Sequence, residues 1–177
     1  MEYKRLEQSL IDIVKEEQAK LGYRKEDVRL YYPLSTLNHF FDTEDTVEEM
    51  AERLTHLPED MKARLGEIAV THKKDRFCFH IPEQGSEYVH EHTAENEFIK
   101  ELVEIVGKHG CKMEDIIALF KQHDKNMFVE EIHNGEFDYL IRFSEENEDP
   151  YYYCFHDEGC HIIYHRFLPE DYEDFGF

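Results

Sequence analysis

Apolar side chains recur every three or four positions in the first part of the chain, which is the spacing of an amphipathic helix. The stripe covers residues 3–21 and is followed by Gly22, a residue type at which helices often end. A short apolar segment at residues 34–41 predicts a second helix. A third helix begins after Thr46, because Thr46 and Glu49 have the spacing of a capping box. The N-terminal part of the chain is therefore predicted to be mainly helical.

The hydrophobic period changes from helical to alternating near residue 68, which indicates strands. Residues 68–72 and 77–81 alternate on either side of a polar turn, and residues 88–92 are predicted as a third strand. Residues 28–32 stay open between a short strand and a helix that stops at Pro33. The pattern thus places an antiparallel sheet among the N-terminal helices.

Two helices then follow in close succession. The first has Thr93 as its predicted N-cap and stops at Gly110, and the second covers residues 113–123. A pair with so short a connection has the shape of a helix-turn-helix unit. A DNA reader needs cations on its second helix, however, and this helix opens with Glu114 and Asp115. We therefore predict a helical hairpin packed on a sheet and no nucleic acid partner.

The last third of the chain alternates again and predicts four strands in two hairpins. Asn134 and Gly135 form the strongest turn signal, because a turn with positive φ at both central positions joins strands closely. The strands are expected near residues 128–132, 137–143, 151–156 and 160–167. The fold class is thus α+β, with N-terminal helices and a central helical hairpin packed on antiparallel β-sheet. The length suits a single α+β domain over residues 1–177.

Composition adds a strong charge asymmetry to this pattern. The chain has 41 acidic against 20 basic residues, for a net charge of −21. Residues 126–177 carry 14 acidic and two basic residues, a net charge of −12, together with 13 of the 24 Phe and Tyr side chains. A surface of this sign repels nucleic acids and anionic membranes, so neither is expected as a partner.

The sequence also predicts the cellular location. The N-terminus lacks the apolar stretch of a signal peptide, and the longest apolar run, residues 116–120, is too short to span a membrane. Four cysteines without a secretion signal indicate reduced thiols in a cytoplasmic protein.

Twelve histidines raise the question of a metal site. His90 and His92 lie two residues apart on the predicted third strand, a spacing that puts both imidazoles on one face. They are the best candidates for metal ligands. The alternative is an ordinary exposed sheet edge, and without further ligands that converge on them we expect no bound metal and no cofactor.

A second cluster of ligand types surrounds the turn of the last hairpin and contains Cys154, His156, Cys160 and His161. Zinc binds such side chains, but Cys160 and His161 are neighbours on a strand and point to opposite faces. A regular hairpin therefore cannot direct all four at one ion. Cys78 and His80 share a strand face, which is too little to define a nucleophile and its base.

Several stretches of the chain look familiar when they are taken together: YYPLSTLNHFF, GKHGC, NGEFDYLIRF, DEGCHIIYHRF and the ending EDYEDFGF. They resemble a family of short, acidic bacterial proteins known only as a domain of unknown function. The similarity covers essentially the whole chain. It implies a cytoplasmic bacterial protein and supplies no catalytic residues.

The leading functional hypothesis is a non-catalytic protein-binding or regulatory domain that acts through its acidic C-terminal sheet. If the aromatic side chains occupy the inner face of that sheet, its carboxylates face solvent and steer a basic protein partner. The candidate acidic surface consists of Glu130, Asp138, Glu145, Glu146, Glu148 and Asp149. Two alternatives stay open. The charge can serve solubility alone, or the His and Cys clusters can form a small metal- or thiol-dependent enzyme. The pattern predicts no particular oligomeric state.

Overall fold

The computed structural model describes residues 3–174 of the chain. Within this range, eight helices and seven strands divide between two compact units, Met1–Asn96 and Glu97–Phe177. Each unit contains one antiparallel sheet, so the predicted α+β class is confirmed. No helix in residues 3–174 is long and apolar enough to cross a membrane. The single domain over residues 1–177 stays a prediction.

The first unit contains five helices and a three-stranded sheet of order β1-β3-β2. Its helices are α1 (Lys4–Leu21), α2 (Leu34–Phe41), α3 (Val47–Leu54), α4 (Glu59–Leu65) and α5 (Glu83–His92). Its strands are β1 (Val28–Pro33), β2 (Ala69–Lys73) and β3 (Arg76–Ile81). Residues 28–32, left open by the sequence, thus form a strand. The buried side chains of Leu30 and Tyr32 alternate there with the exposed ones of Arg29 and Tyr31.

Alternation along β3 gives this sheet one buried face. Phe77, Phe79 and Ile81 are each 0% exposed. Tyr32 of β1 meets Phe79 edge-on, with 5.5 Å between the ring centroids. The hydroxyls of Tyr32 and the buried Ser9 of α1 share a hydrogen bond of 2.9 Å. This bond satisfies two buried polar groups and joins α1 to the sheet.

Thr46 begins α3 through the capping box that the sequence predicts. The Glu49 amide donates to the Thr46 hydroxyl at 3.3 Å, and the Thr46 amide donates to the Glu49 carboxylate at 2.8 Å. Donation from Thr46 lowers the pKa of Glu49 below its ordinary value. Two N–H groups that a helix start leaves without partners are thereby satisfied. The capping box is confirmed, as is the helix at Leu34–Phe41.

The strand predicted at residues 88–92 is wrong, because this segment is the second half of α5. The helix starts directly after Pro82, whose extended backbone is typical of an N-cap. Asp27 stabilises the start, since its Oδ1 accepts a hydrogen bond of 3.0 Å from the Glu83 amide. Thr93, predicted to start the next helix, instead ends α5 and donates its hydroxyl to the Val89 carbonyl.

The second unit contains a helical hairpin, a four-stranded sheet and a terminal helix. The helices are α6 (Glu97–Val106), α7 (Met113–His123) and α8 (Pro169–Asp174). The strands are β4 (Phe128–Glu131), β5 (Tyr139–Arg142), β6 (Tyr152–Asp157) and β7 (Ile162–Phe167). Their order is β4-β5-β6-β7, and every neighbouring pair is antiparallel. The four predicted strands and the helical hairpin are confirmed.

Aromatic side chains hold the helical hairpin on one face of this sheet. Phe98 of α6 and Phe120 of α7 meet edge-on, with 4.7 Å between the ring centroids. Both also contact Phe143 and Tyr153 on the sheet side. The opposite face carries a smaller cluster of Phe137, Leu140 and Cys154, against which Phe167 and Tyr172 pack. The aromatic richness of residues 126–177 is therefore divided between both faces.

The predicted hairpin at Asn134 and Gly135 is present, although the regular pairing of β4 with β5 ends at Glu131 and Tyr139. Beyond this pair, the Ile132 amide donates to the Asp138 carbonyl and the Asn134 amide donates to the Phe137 carbonyl. Within the loop, the Asn134 side-chain oxygen accepts hydrogen bonds from the amides of Glu136 and Phe137. Gly135 has a φ of 93°, which favours glycine at this position.

Candidate functional site

The predicted acidic residues fall into an exposed group and a hydrogen-bonded group. The exposed group contains Glu130 of β4 and three residues of the loop between β5 and β6, Glu145, Glu146 and Glu148. Asp138 and Asp149 are half-buried, and each accepts hydrogen bonds within the second unit. We therefore distinguish carboxylates that face solvent from those that hold the fold.

Asp149 anchors the loop between β5 and β6. Its Oδ2 accepts a hydrogen bond of 2.6 Å from the Tyr153 hydroxyl, and its Oδ1 accepts one of 3.0 Å from the Tyr151 amide. The Tyr153 side chain is 0% exposed. Burial, and then the Asp149 charge, raise the pKa of Tyr153 well above its ordinary value. Tyr153 thus keeps its proton and donates a hydrogen bond to Asp149.

Asp138 lies between two histidines at one end of the sheet. The Asp157 amide donates to its Oδ2 at 2.9 Å. His133 Nδ1 lies 3.3 Å from Oδ1, and His156 Nδ1 lies 2.9 Å from Oδ2. The Asp157 amide, and then the two imidazoles, lower the pKa of Asp138 below its ordinary value. The folded state therefore favours the charged carboxylate.

Replacing Asp138 with Asn should lower the free energy of unfolding by about 1 kcal/mol near neutral pH, since a half-buried charged acceptor is lost. Because the folded pKa is lowered, the stabilisation exists above the unfolded pKa of about 4 and disappears as the pH falls through the folded value. Urea unfolding at several pH values measures this difference. Glu136→Gln removes the same charge from an exposed position of the same loop and should change little. If the difference in the free energy of unfolding between wild type and Asp138→Asn stayed constant with pH, the lowered pKa of Asp138 would be contradicted.

Strand β4 forms one edge of the acidic sheet. It pairs with β5 on one side, and the strand order places no strand of the described chain on the other side. All four of its residues are exposed, including the apolar Phe128 at 53% and Val129 at 39%. An edge strand leaves a row of backbone N–H and C=O groups that can pair with another chain.

Carboxylates lie near both ends of this edge strand. Phe128 lies opposite Arg142 in the register, and the chain leaves Arg142 directly into the loop with Glu145, Glu146 and Glu148. At the other end, Glu131 lies opposite Tyr139. The Arg142 guanidinium stacks over the Phe128 ring at 4.2 Å from its centroid and is thus held close to the sheet.

His90 and His92 do not share a face, because residues two apart on a helix point in different directions. Each is instead stacked on a tyrosine: His90 on Tyr23 at 4.0 Å between the centroids, and His92 on Tyr88 at 4.9 Å. Across residues 3–174, no group of three His, Cys, Asp or Glu side chains is placed to hold a metal ion.

The two cysteines of the last hairpin differ in burial. Cys154 is 0% exposed, and burial raises the pKa of its thiol to about 12. Cys160 is exposed, and its Sγ lies 3.1 Å from Nδ1 of His161. Nε2 of His161 lies 2.5 Å from Glu158 Oε2. We call the contacts of Cys160 with His161 and of His161 with Glu158 the relay. Sequence spacing alone does not predict the relay, because it depends on how the turn orients the His161 ring.

These observations define an α+β protein with an acidic, uncovered sheet edge. A family model described as "Domain of unknown function, E. rectale Gene description (DUF3877)" matches residues 3–176. The chain belongs to this bacterial family, so the resemblance of its motifs is confirmed. No curated protein and no solved structure matches it significantly.

Proposed function

We propose that the chain is a non-catalytic, cytoplasmic protein-binding domain whose acidic unit pairs with an extended basic segment of a partner along β4. The observation that carries this proposal is the exposure of β4 at the sheet edge, with side chains open on both faces. Addition of a strand to such an edge supplies backbone hydrogen bonds, while side chains on alternate positions supply specificity.

Charge determines which segment fits this edge. Residues 97–177 carry 20 acidic and seven basic residues, a net charge of −13. Glu130 and Glu131 lie on β4 itself, and Glu145, Glu146 and Glu148 follow its pairing partner in the chain. In a segment in which Lys or Arg alternates with apolar residues, the cations would meet Glu130 on the face that it shares with Phe128, while the apolar side chains cover Val129 on the other face. Nucleic acid is disfavoured as a partner because its phosphates would face the same carboxylates.

A labelled peptide in which Lys and Val alternate tests the proposal by fluorescence anisotropy. Wild-type protein should bind it with an affinity that falls as salt rises, since the carboxylates are exposed and screened. Reversing four glutamates to Lys should weaken binding by at least about tenfold, because each exposed ion pair contributes about 0.2–1 kcal/mol. The four positions are Glu130, Glu145, Glu146 and Glu148.

A matched variant separates this surface from total charge. It reverses four exposed glutamates of the first unit, Glu44, Glu52, Glu67 and Glu91, and has the same net charge as the first variant. The proposal expects this variant to bind the peptide nearly as well as wild type. Equal losses in both variants, or no binding by wild type, would assign the charge to solubility alone.

Thiol chemistry is a second candidate function, favoured by the relay of Cys160, His161 and Glu158. The imidazole can take the thiol proton, and the carboxylate can hold the resulting imidazolium. The Cys160 thiolate would then attack a low-molecular-weight disulfide, form a mixed disulfide with one half and release the other half as a thiolate. This reaction requires an exposed sulfur, and Cys160 is exposed.

Mass spectrometry of the Cys160 peptide after brief treatment with oxidised glutathione measures this reactivity. His161→Gln should slow modification at neutral pH by about tenfold, since general-base assistance is lost. His56→Gln, which alters an exposed histidine of the first unit, serves as the control. Equal rates in the two variants and wild type would leave Cys160 an ordinary surface thiol.

A further inference from the structure

The outer face of the N-terminal sheet carries a charge opposite to that of the chain as a whole. We define the basic face as eight side chains of β1, β2 and β3 on the side of the sheet opposite to the buried Phe77, Phe79 and Ile81: Arg29, Tyr31, Ala69, Thr71, Lys73, Arg76, Cys78 and His80. It contains three permanent cations and no carboxylate. Residues 1–96, in contrast, carry 21 acidic against 13 basic residues.

The basic face is open and its cations are uncompensated. Its side chains are exposed apart from the half-buried Cys78 and His80, and Tyr31 reaches 60% exposure. Among residues 3–174, Arg29, Lys73 and Arg76 have no ion-pair partner. Only His80 meets a carboxylate, at 3.0 Å from Asp27 Oδ2. An exposed aromatic ring with unpaired guanidinium groups is typical of a binding surface.

The strand register arranges this face in three rows. They contain Arg29 with His80 and Ala69, then Tyr31 with Cys78 and Thr71, and then Arg76 with Lys73. The rows lie about 7 Å apart, because successive side chains on one face of a strand are two residues apart. Cations therefore occupy the two outer rows, and the apolar ring of Tyr31 lies in the row between them.

We propose that the basic face binds an acidic polypeptide segment in an extended conformation. Side chains at alternate positions of such a segment repeat at the same distance of about 7 Å as the rows of the sheet. The matching pattern has acidic residues at its first and fifth positions and an apolar residue at its third. The carboxylates then meet Arg29 and Arg76, with which they form paired hydrogen bonds, and the apolar side chain covers Tyr31.

Two other occupants fit the face less well. A single-stranded nucleic acid stacks successive bases on several aromatic side chains, and this face offers only Tyr31. A second copy of the chain carries a net charge of −21 and would be repelled on approach. A short acidic segment brings little charge of its own. At about 0.15 M salt it senses mainly the cations within about 8 Å.

The test uses the full chain and a fluorescein-labelled peptide with Glu, Leu and Glu at alternate positions, separated by Ser. Wild-type protein should bind this peptide at physiological ionic strength. The triple charge reversal Arg29→Glu, Lys73→Glu and Arg76→Glu should weaken binding by at least about tenfold, as the loss of three surface ion pairs implies. Tyr31→Ala, which leaves the charge unchanged, should weaken it by about threefold.

A second triple variant keeps the net charge equal and changes only its position. It reverses Lys4, Lys121 and Lys125, three exposed lysines outside the basic face. Peptide binding close to that of wild type is expected for this control, and circular dichroism checks that both triple variants fold. The proposal is overturned by equal losses in the two triples or by no binding to wild type. It is also overturned if an oligonucleotide of equal length binds the face more tightly, or if the charge reversals dissolve a wild-type dimer.

Discussion

Replacing Phe120 with Ala is expected to lower the free energy of unfolding of the second unit by about 3–5 kcal/mol. The Phe120 side chain is 0% exposed. Its ring centroid lies 4.7 Å from that of Phe98, 4.9 Å from Phe143 and 5.2 Å from Tyr153. Truncation leaves a cavity that these rings cannot fill together, because the close-packed core relaxes only in part.

Urea unfolding followed by far-ultraviolet circular dichroism measures the loss. Lys121→Ala is the matched control, since Lys121 is the next residue of α7 and is exposed. Its effect should stay within about 0.5 kcal/mol. A Phe120→Ala protein that unfolds at the same urea concentration as wild type would contradict the packing of the helical hairpin on the sheet.

Replacing Gly85 with Ala is expected to cost the first unit about 2 kcal/mol, although Ala favours a helix by up to about 1 kcal/mol. A Cβ atom at Gly85 would lie 2.4 Å from the Leu65 carbonyl oxygen and 2.5 Å from Ile81 Cγ2. The first of these contacts is with backbone at the end of α4, so the clash is relieved only if α4 and α5 move apart. We therefore expect the clash to outweigh the gain in helix propensity.

Glu91→Ala is the control for this substitution, because Glu91 is exposed on the same helix. Its own effect should be close to zero or slightly stabilising. If Gly85→Ala raises the free energy of unfolding, α4 and α5 do not approach as closely as the structure places them.

The same two substitutions test the prediction of one domain over residues 1–177. Phe120 and Gly85 belong to different compact units. If the chain unfolds as one domain, each substitution shifts a single shared transition. If the units unfold independently, Phe120→Ala lowers only one of two transitions and Gly85→Ala lowers the other. We expect the shared transition.

Much of the fold could be predicted where a single signal was strong. The segment at residues 34–41 and the capping box of Thr46 and Glu49 are local features, and they appear as predicted. The four C-terminal strands follow from alternation, although β5 is shorter than expected. Phe137 and Phe143 lie outside its ends and still enter the clusters on opposite faces.

The segment at residues 83–92 was misread because two periods compete in it. Tyr88, His90 and His92 alternate with Val89 and Glu91, as in a strand. Two features favour the helix. Pro82 has an extended backbone at its start, and the carboxylate of Asp27, which is distant in sequence, accepts a hydrogen bond from the Glu83 amide. The proline was a readable signal for a helix start, whereas the contact with Asp27 was not.

The candidate site was predictable only in part, because the position of a residue in a strand or loop predicts its exposure but not the hydrogen bonds that it makes. Exposure of Glu130 follows from its place on a strand edge, and exposure of the glutamates follows from their place in a loop. Asp138 and Asp149 depart from this expectation, since short carboxylates bond to nearby backbone amides and hydroxyls in turns. Two partners of Asp138, the Asp157 amide and the His156 imidazole, reach it only through the pairing of β5 with β6.

The central claim is that a basic segment pairs with the edge of the acidic sheet, and amide hydrogen exchange on β4 tests it most directly. With the alternating Lys and Val peptide bound, the amides of Phe128–Glu131 that face away from β5 should exchange at least about tenfold more slowly, since they gain hydrogen bonds to the added strand. The edge strand β7 of the same sheet is the internal control and should be unaffected. Binding of the peptide without any slowing on β4, or with equal slowing on β7, would contradict the account.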